Sequence, residues 1–500
     1  MAWVSGLAFF LTPYMLGRLG KEMYGLYALV GMFIGYVGIL DFSMDSTLVK
    51  FVAEHNAKKQ FPELNAVIGW GLLFYALFAA VLAAVALLFV DPALALLKIP
   101  PQMIHDARFI VMVGLCAFAA AAVLNVFGAV INGLQRMDIF DGINMTVSVL
   151  TAAGTVFVLQ KGFGVKGLIL NYSAGLLSIG ALYTVFAFRL LPQLAPSLVW
   201  SDIKMAKELS LFGLRLHVSR LANKVTTQTD RFFLTYFVGV GALAYFQIGN
   251  ALVMCAVSVV GLASNTLVPA LTEVAAANDG LRLRAAYLRC MRFLAALAVP
   301  LFAFIAVAGG PFITGWVGPG YGPARVIALA LALGWLAVMS SEAGPATAIA
   351  IDKPQLIAWG ALTNVAVNLS ANFLLIRRFG LAGAGWGTAL GLLLQALVTQ
   401  VGAQRALGLH VRDYLRSVLP FFAAGLLSSA LCAGAGAAAL AFLTPQSRRA
   451  ALGLLAWQGA VFGAVYGVWI WKTRVFTREE TDFIMEKVAL FKQRFALGGA

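Results

Sequence analysis

The stretch RLHVSRLANKVTTQTDR, residues 215–231, decides how the whole chain must be folded. At 100° per residue its polar members His217, Arg220, Lys224, Gln228 and Arg231 fall within an arc of about 80°; Leu221 and Val225 border it, roughly 20° to 60° beyond its edge, and Val218 and Ala222 extend the apolar face further round. At 1.5 Å per residue the polar side runs for about 21 Å, most of a bilayer's hydrocarbon depth. Each Arg or Lys near the bilayer centre costs roughly 2.5 to 3.5 kcal/mol, so three of them facing lipid would cost about 8 to 10 kcal/mol. If the stretch crosses a membrane, its cations face water or an anion enclosed by other helices. The less specific alternative has Arg215 and His217 snorkelling at one interface and Arg231 pairing with its neighbour Asp230.

The rest of the chain is of membrane type. Of its 500 residues 61% are hydrophobic and only 11% charged, with 50 Gly and 36 Phe, and the mean hydropathy is +0.88. Such usage lies outside that of water-soluble domains. Apolar runs of about 20 residues recur, divided by short connectors rich in Gly, Pro and charge. Fourteen candidate spans centre near Phe9, Phe33, Ala79, Ala119, Thr151, Leu177, Val225, Cys255, Ala303, Leu333, Val365, Leu393, Ser429 and Val461. The expected fold class is an all-α polytopic membrane protein. The first run lacks a basic lead and a small-residue cleavage site, so it reads as a span rather than a signal peptide. Its abrupt start leads us to expect a start codon upstream of Met1.

The net charge of +15 would suggest nucleic acid in a soluble protein, but connector charge explains it here without that partner. With the N-terminus inside, cytoplasmic connectors and tail hold 22 of the 36 Lys and Arg, and outside connectors hold 11. Arg220, Lys224 and Arg231 lie within a span and complete the set. Both termini are therefore expected in the cytoplasm. Cys116, Cys255, Cys290 and Cys432 are isolated in apolar runs and read as small buried residues.

An internal repeat organises the spans. STLVKFVAE from Ser46 aligns with NTLVPALTE from Asn265, and FGVKG from Phe163 with FGLAG from Phe379, at offsets of 219 and 216 residues. Two six-helix lobes in the same orientation follow, related by an axis along the membrane normal, with two helices left over. The expected divisions are residues 1–190 for the first lobe, 191–212 for a cytoplasmic linker, 213–402 for the second lobe, 403–471 for two added helices and 472–500 for a cytoplasmic tail. Within the linker, WSDIKMAKELSLFGL reads either as a helix lying at the interface, with Trp200 at headgroup depth, or as a plain connection. The tail segment REETDFIMEKVALFKQRF has the period of a surface helix, with Ile484, Val488, Phe491 and Phe495 on one face.

Water-accessible cations in a low-dielectric cavity between lobes favour an anionic cargo, and the fork of Arg suits phosphate. Asp41 and Asp45, at i and i+4, either bind a coupling H+ or Na+ or pair with the nearby Lys50. Glu342, beside Gly344 and Pro345, marks a possible break in the tenth span where backbone meets a cavity. Asn125, Asn144, Asn364, Asn368 and Asn372 are expected to bond between helices. No phosphate-binding GxxxxGK[ST], metal spacing or catalytic triad pattern is present, so no enzyme and no cofactor beyond a coupling ion is expected.

LGKEMYGLYAL, ILDFSMDSTLVKFVAE, INGLQRMDIFDGIN, VTTQTDRFFLTYFVG, WVGPGYGPA and FGLAGAGWGTAL, in that order, resemble the bacterial polysaccharide transporters. These are the O-antigen-type flippases of lipid-linked oligosaccharide within the multidrug/oligosaccharidyl-lipid/polysaccharide exporter superfamily. The resemblance implies a fourteen-helix, V-shaped, two-lobed fold in the bacterial inner membrane. It also implies outward movement of undecaprenyl-pyrophosphate-linked glycan by alternating access through a cationic cavity. The implied partners are that lipid-linked oligosaccharide, membrane lipids and the polysaccharide polymerase and chain-length proteins of the same biosynthesis. The family's usual Gly after the Asp-aromatic pair is Ser43 here. Two other readings remain: a cation-coupled drug or metabolite exporter of the same fold, which favours an acidic cavity, and a membrane-embedded glycan polymerase or ligase, which needs a large external loop.

Overall fold

A computed structural model of the chain describes residues 2–197, 203–264, 266–277, 279–440, 447–473, 475 and 480; the side chains of 2–5, 39, 40, 203, 204, 206, 215–227 and 440 fall outside that description. Among the described residues the structure is helical throughout, with no strand. The helices are α1 (Ala2–Val37), α2 (Met44–Ala57), α3 (Phe61–Leu96), α4 (Ile104–Gly133), α5 (Met137–Gln160), α6 (Gly164–Leu190), α7 (Ile203–Phe237) and α8 (Val240–Ser264). They continue as α9 (Leu267–Ala276), α10 (Gly280–Trp316), α11 (Ala324–Ser340), α12 (Ala343–Ala350), α13 (Gln355–Phe379), α14 (Leu381–Leu407), α15 (Val411–Leu440) and α16 (Arg448–Thr473).

The chain is a multi-pass membrane protein: among the described residues, 11 helical stretches are long and apolar enough to cross a bilayer. They correspond to the expected spans apart from those centred on Phe9, Phe33 and Val225. The first two lie in α1, which Gly20 interrupts with φ 74 and ψ 171, a backbone that only glycine adopts at little cost. The third is α7, whose polar residues lower its hydropathy. Of the segment read either as an interfacial helix or as a plain connection, Ile203–Leu214 runs without interruption into the span as the start of α7. Trp200 and the tail segment from Thr481 onward, with Ile484, Val488, Phe491 and Phe495, lie outside the described residues.

The repeated motifs occupy matching places. Ser46–Glu54 lies in the short helix α2 and Leu267–Glu273 in the short helix α9, each following a break in a longer apolar helix. Gly164 and Gly380, the second residues of the FG motifs, both have φ +56° and both stand at the start of a helix.

Packing gathers the side chains into a small number of cores. Two clusters are built almost wholly from residues before Phe212, around Leu29, Val111 and Ile169 and around Leu48, Ile68 and Tyr183. One is built from residues after Phe232, around Phe246, Tyr287 and Phe302. A fourth, containing Leu16, Tyr24, Leu168, Ala244, Ile248 and Ala328, joins the two halves of the chain at the end that bears Gly20. There Trp316 Nε1 donates to the Phe9 carbonyl at 3.1 Å, and the two rings stack 4.1 Å apart. The cysteines are less uniform than expected: Cys432 is buried, Cys255 and Cys290 are half-buried, and Cys116 is exposed. In a bundle whose outer face meets lipid, an apolar residue has no need to be interior.

Candidate functional site between the halves

α7 is the element that belongs to both halves. Near its start Leu209 is buried in the Leu48 cluster, Phe212 meets Phe51 edge-on at 5.8 Å, and Gly213 approaches the Phe42 carbonyl. Toward the other end of the same helix, Leu234 is buried in the second-half core and Phe233 and Phe237 both pack on Phe373 of α13. An α-helix turns its residues through 100° per step, so adjacent side chains point to different neighbours. Asp230 and Arg231 use that geometry.

Asp230 is only 3% exposed. Its Oδ1 accepts from Asn372 Nδ2 at 2.5 Å and Asn368 Nδ2 at 3.2 Å on α13, and its Oδ2 accepts from Thr388 Oγ1 at 2.7 Å on α14. A buried carboxylate is tolerable when each lone pair finds a donor. The opposite ends of the two amides are not so served: Asn368 Oδ1 and Asn372 Oδ1 are buried with no partner. Rotating both amides would turn five oxygens toward one point, a donor set of the kind that hard cations take.

Gln228 and Arg231 point the other way, onto α1. The Gln228 amide lies against Gly35, where a Cβ would fall 2.3 Å from its Cδ, and Arg231 Nη1 lies 3.9 Å from the Cβ position of Gly31. Gly31 and Gly35, one turn apart, open a notch in α1 that the two polar side chains enter. Arg231 is half-buried, its Nε is buried without a partner, and it makes no ion pair among the described residues. No salt bridge joins Arg231 to Asp230, one of the alternatives for this residue, among the described residues: Asp230 bonds to the second half and Arg231 lies against the first.

Of the expected cationic stripe, Gln228 and Arg231 lie side by side at this seam, while the side chains of His217, Arg220 and Lys224 lie outside the described residues. Asp41 lies elsewhere, in a cavity of about 460 Å3 within the first half that also includes Asp45, Tyr75, Asn125, Asn144 and Tyr183. Tyr75 donates to Asp41 Oδ1 at 2.5 Å, and Asn144 Nδ2 meets the Tyr183 hydroxyl at 2.6 Å. Lys50, expected as a partner for these acids, instead pairs with Glu54 at 3.0 Å, one turn along α2. Glu342 occupies the break between α11 and α12, half-buried.

Asp230 and the glycine notch escaped the sequence reading. The signal for the first was present in Asn364, Asn368 and Asn372, a period-four polar row on α13 that needs an opposing group. The signal for the second was GMFIG at residues 31–35, a small-xxx-small pattern in an apolar helix.

A family described as "Polysaccharide biosynthesis protein" matches residues 2–275. A Shigella flexneri protein described as a candidate O-antigen transporter is 21% identical over 397 residues, covering 76% of this chain and 90% of that protein. Two solved structures share the fold. One is an inward-facing multidrug resistance MATE family transporter of the MOP superfamily, with TM-score 0.69 and 14% identity over 82% of this chain and 95% of that one. The other is the lipid II flippase MurJ in an inward closed conformation, with TM-score 0.66 and 12% identity over 94% of this chain and 99% of that one.

Proposed function

The chain belongs to the polysaccharide biosynthesis protein family, and from that premise we propose that it is a flippase for lipid-linked oligosaccharide. In this reading it carries undecaprenyl-pyrophosphate-linked glycan outward across the bacterial inner membrane by alternating access, for cell-surface polysaccharide, with both termini in the cytoplasm. The relative described as an O-antigen transporter and the fold shared with a lipid II flippase support it.

The observation that carries the reading is Arg231: a guanidinium without an ion-pair partner among the described residues, held by α7 where the two halves meet. A permanently charged group in such a place favours an anion, and a pyrophosphate offers the bidentate acceptor that Arg prefers. Helical periodicity in the sequence would put Arg220, Lys224 and His217 on the same side as Gln228 and Arg231. The glycan fills the water between the halves and the prenyl chain remains in lipid. A cation-coupled drug exporter of the same fold is the second reading. The neutral Gln228 and cationic Arg231 at the seam favour the anionic cargo over it.

Movement requires a ligand that binds the two states differently. Asp230 is the group best placed to receive a coupling H+ or Na+, since its occupancy acts on the bonds that tie α7 to α13 and α14. Asp41 and Glu342 are secondary candidates, one within the first half and the other at the α11–α12 break.

The test is deletion of the gene in its host with mass spectrometry of polyprenyl-pyrophosphate glycans. Complementation would use wild type, Arg231→Gln and the double Arg220→Gln, Lys224→Gln variant. Accumulation of a lipid-linked glycan that wild type clears and the variants clear slowly is the expected result. No accumulation in a strain lacking related transporters would overturn the flippase reading in favour of the exporter.

A further inference from the structure

At the end of the second half that carries Arg292, helices α10, α15 and α16 leave a groove of about 670 Å3 between them. Arg292, Arg416 and Trp469 stand along it, with Leu419, Pro420 and Ala423 forming an apolar wall. Arg416 is in the second turn of α15 and Trp469 is one turn from the end of α16. Both therefore lie at one edge of the apolar helices, the depth at which Trp and Arg meet lipid headgroups.

Among the described residues, cations outnumber acids at this edge. Arg292 Nη2 reaches Glu480 Oε1 at 2.5 Å, and Arg289 Nε reaches the same oxygen at 3.4 Å. Arg416 is exposed and makes no ion pair among the described residues. Two donors are also left over: Arg292 Nε and Trp469 Nε1 are buried with no partner. Beside them Leu419 is 58% exposed, an apolar surface that continues away from the cations.

We propose that this groove binds an anionic glycerophospholipid of the surrounding leaflet as a resident lipid, its phosphate held by Arg292 and Arg416 and its acyl chains lying on Leu419, Pro420 and Ala423. Charge complementarity selects the head, because a zwitterionic lipid brings its own cation to a groove whose described lining already carries Arg292 and Arg416. The apolar wall selects a lipid over a soluble phosphate, which would leave that wall bare. The inference needs only that the chain spans a membrane, so it stands apart from the transport reading.

The experiment is native mass spectrometry of the full-length protein in detergent, titrated with dioleoyl phosphatidylglycerol, dioleoyl phosphatidylcholine or inorganic phosphate. The wild type should retain phosphatidylglycerol in preference to phosphatidylcholine. Retention should fall about fivefold in Arg416→Gln, the worth of one cation near a headgroup, and further in the double Arg292→Gln, Arg416→Gln variant. Ala423→Trp, which fills the groove and keeps every charge, should also lower it. Arg416 is exposed, so Arg416→Gln and Ala423→Trp decide the matter if the double variant fails to fold. Equal binding of the two lipids by wild type would overturn the proposal, as would undiminished phosphatidylglycerol in both single variants. Displacement of the lipid by inorganic phosphate at equal concentration would make this a site for a soluble anion instead.

Discussion

The backbone carbonyl of Val240 sits directly over Gly25: a Cβ on that glycine would lie 2.2 Å from the oxygen. This close approach of α1 to the start of α8 is part of the seam that joins the two halves at the Gly20 end. Backbone cannot swing aside as a side chain can. Gly25→Ala is expected to lower stability by about 1 to 3 kcal/mol through overpacking and to slow transport. The neighbouring Gly241→Ala, whose Cβ would meet only Glu22 at 3.8 Å, should change stability by less than about 0.5 kcal/mol. Thermal unfolding of both variants in detergent checks the contrast; equal effects would remove the special status of the Gly25 contact.

Asp230 is the acceptor for three donors on α13 and α14. Asp230→Ala should therefore destabilise by about 3 kcal/mol, since the Asn368 and Asn372 amides lose their carboxylate acceptor at once and Thr388 keeps only the Ala384 carbonyl. Asp230→Asn keeps the shape and removes the charge. If a coupling Na+ sits here, sodium chloride should raise the unfolding temperature of wild type above its value in choline chloride, and Asp230→Asn should show no such rise. A rise that survives in the variant places the ion elsewhere and returns attention to Asp41.

Ser43 stands at φ 54, next to Phe42 at φ 49, in the left-handed region between the 3-10 turn Gly38–Asp41 and α2. Glycine adopts this backbone without the roughly 1 to 2 kcal/mol that an L side chain incurs. Ser43→Gly is expected to raise stability by up to about 1 kcal/mol, part of the gain being offset by a freer unfolded chain. Ser43→Val should lower it. Unfolding temperatures of the two variants on opposite sides of wild type are the expected outcome.

Glu54 is held between Lys58 at 2.6 Å and Lys50 at 3.0 Å. These contacts, Lys58 first, move its carboxyl from 4.5 to about 2. A lowered carboxyl stabilises the folded chain above pH 4.5, and the contribution disappears as pH falls through about 2. The pair is exposed, so the effect should be small and weakened by salt. Comparing wild type with Glu54→Gln, the difference in unfolding temperature should be present at pH 7 and shrink steadily below pH 4.5. A difference that is constant between pH 6 and pH 2.5 would assign it to something other than this charge.

Much of the architecture was legible in the residues themselves. Apolar runs of bilayer length determine a bundle of crossing helices because lipid offers no partner to an open backbone. The FG motifs at Phe163 and Phe379 mark equivalent places because a left-handed glycine before a helix is a local requirement, met by Gly164 and Gly380 with the same φ. The stripe on α7 is an expectation from helical periodicity, a property of one segment; of its five members Gln228 and Arg231 have described side chains, lying against Gly35 and Gly31 of α1.

What each polar group faces was another matter, since that depends on which helix is brought alongside. Sequence adjacency suggests that Asp230 pairs with Arg231, yet one step of 100° sends the carboxylate to Asn368, Asn372 and Thr388, more than a hundred residues away, and the guanidinium to Gly31. Lys50 was within reach of two kinds of acid and took Glu54, one turn along its own helix. The chain by itself determined that its cations must be sheltered from lipid. Only the packing of α7 between the halves decided what Asp230 and Arg231 each face, because a buried polar group is stable only where tertiary neighbours supply its partner.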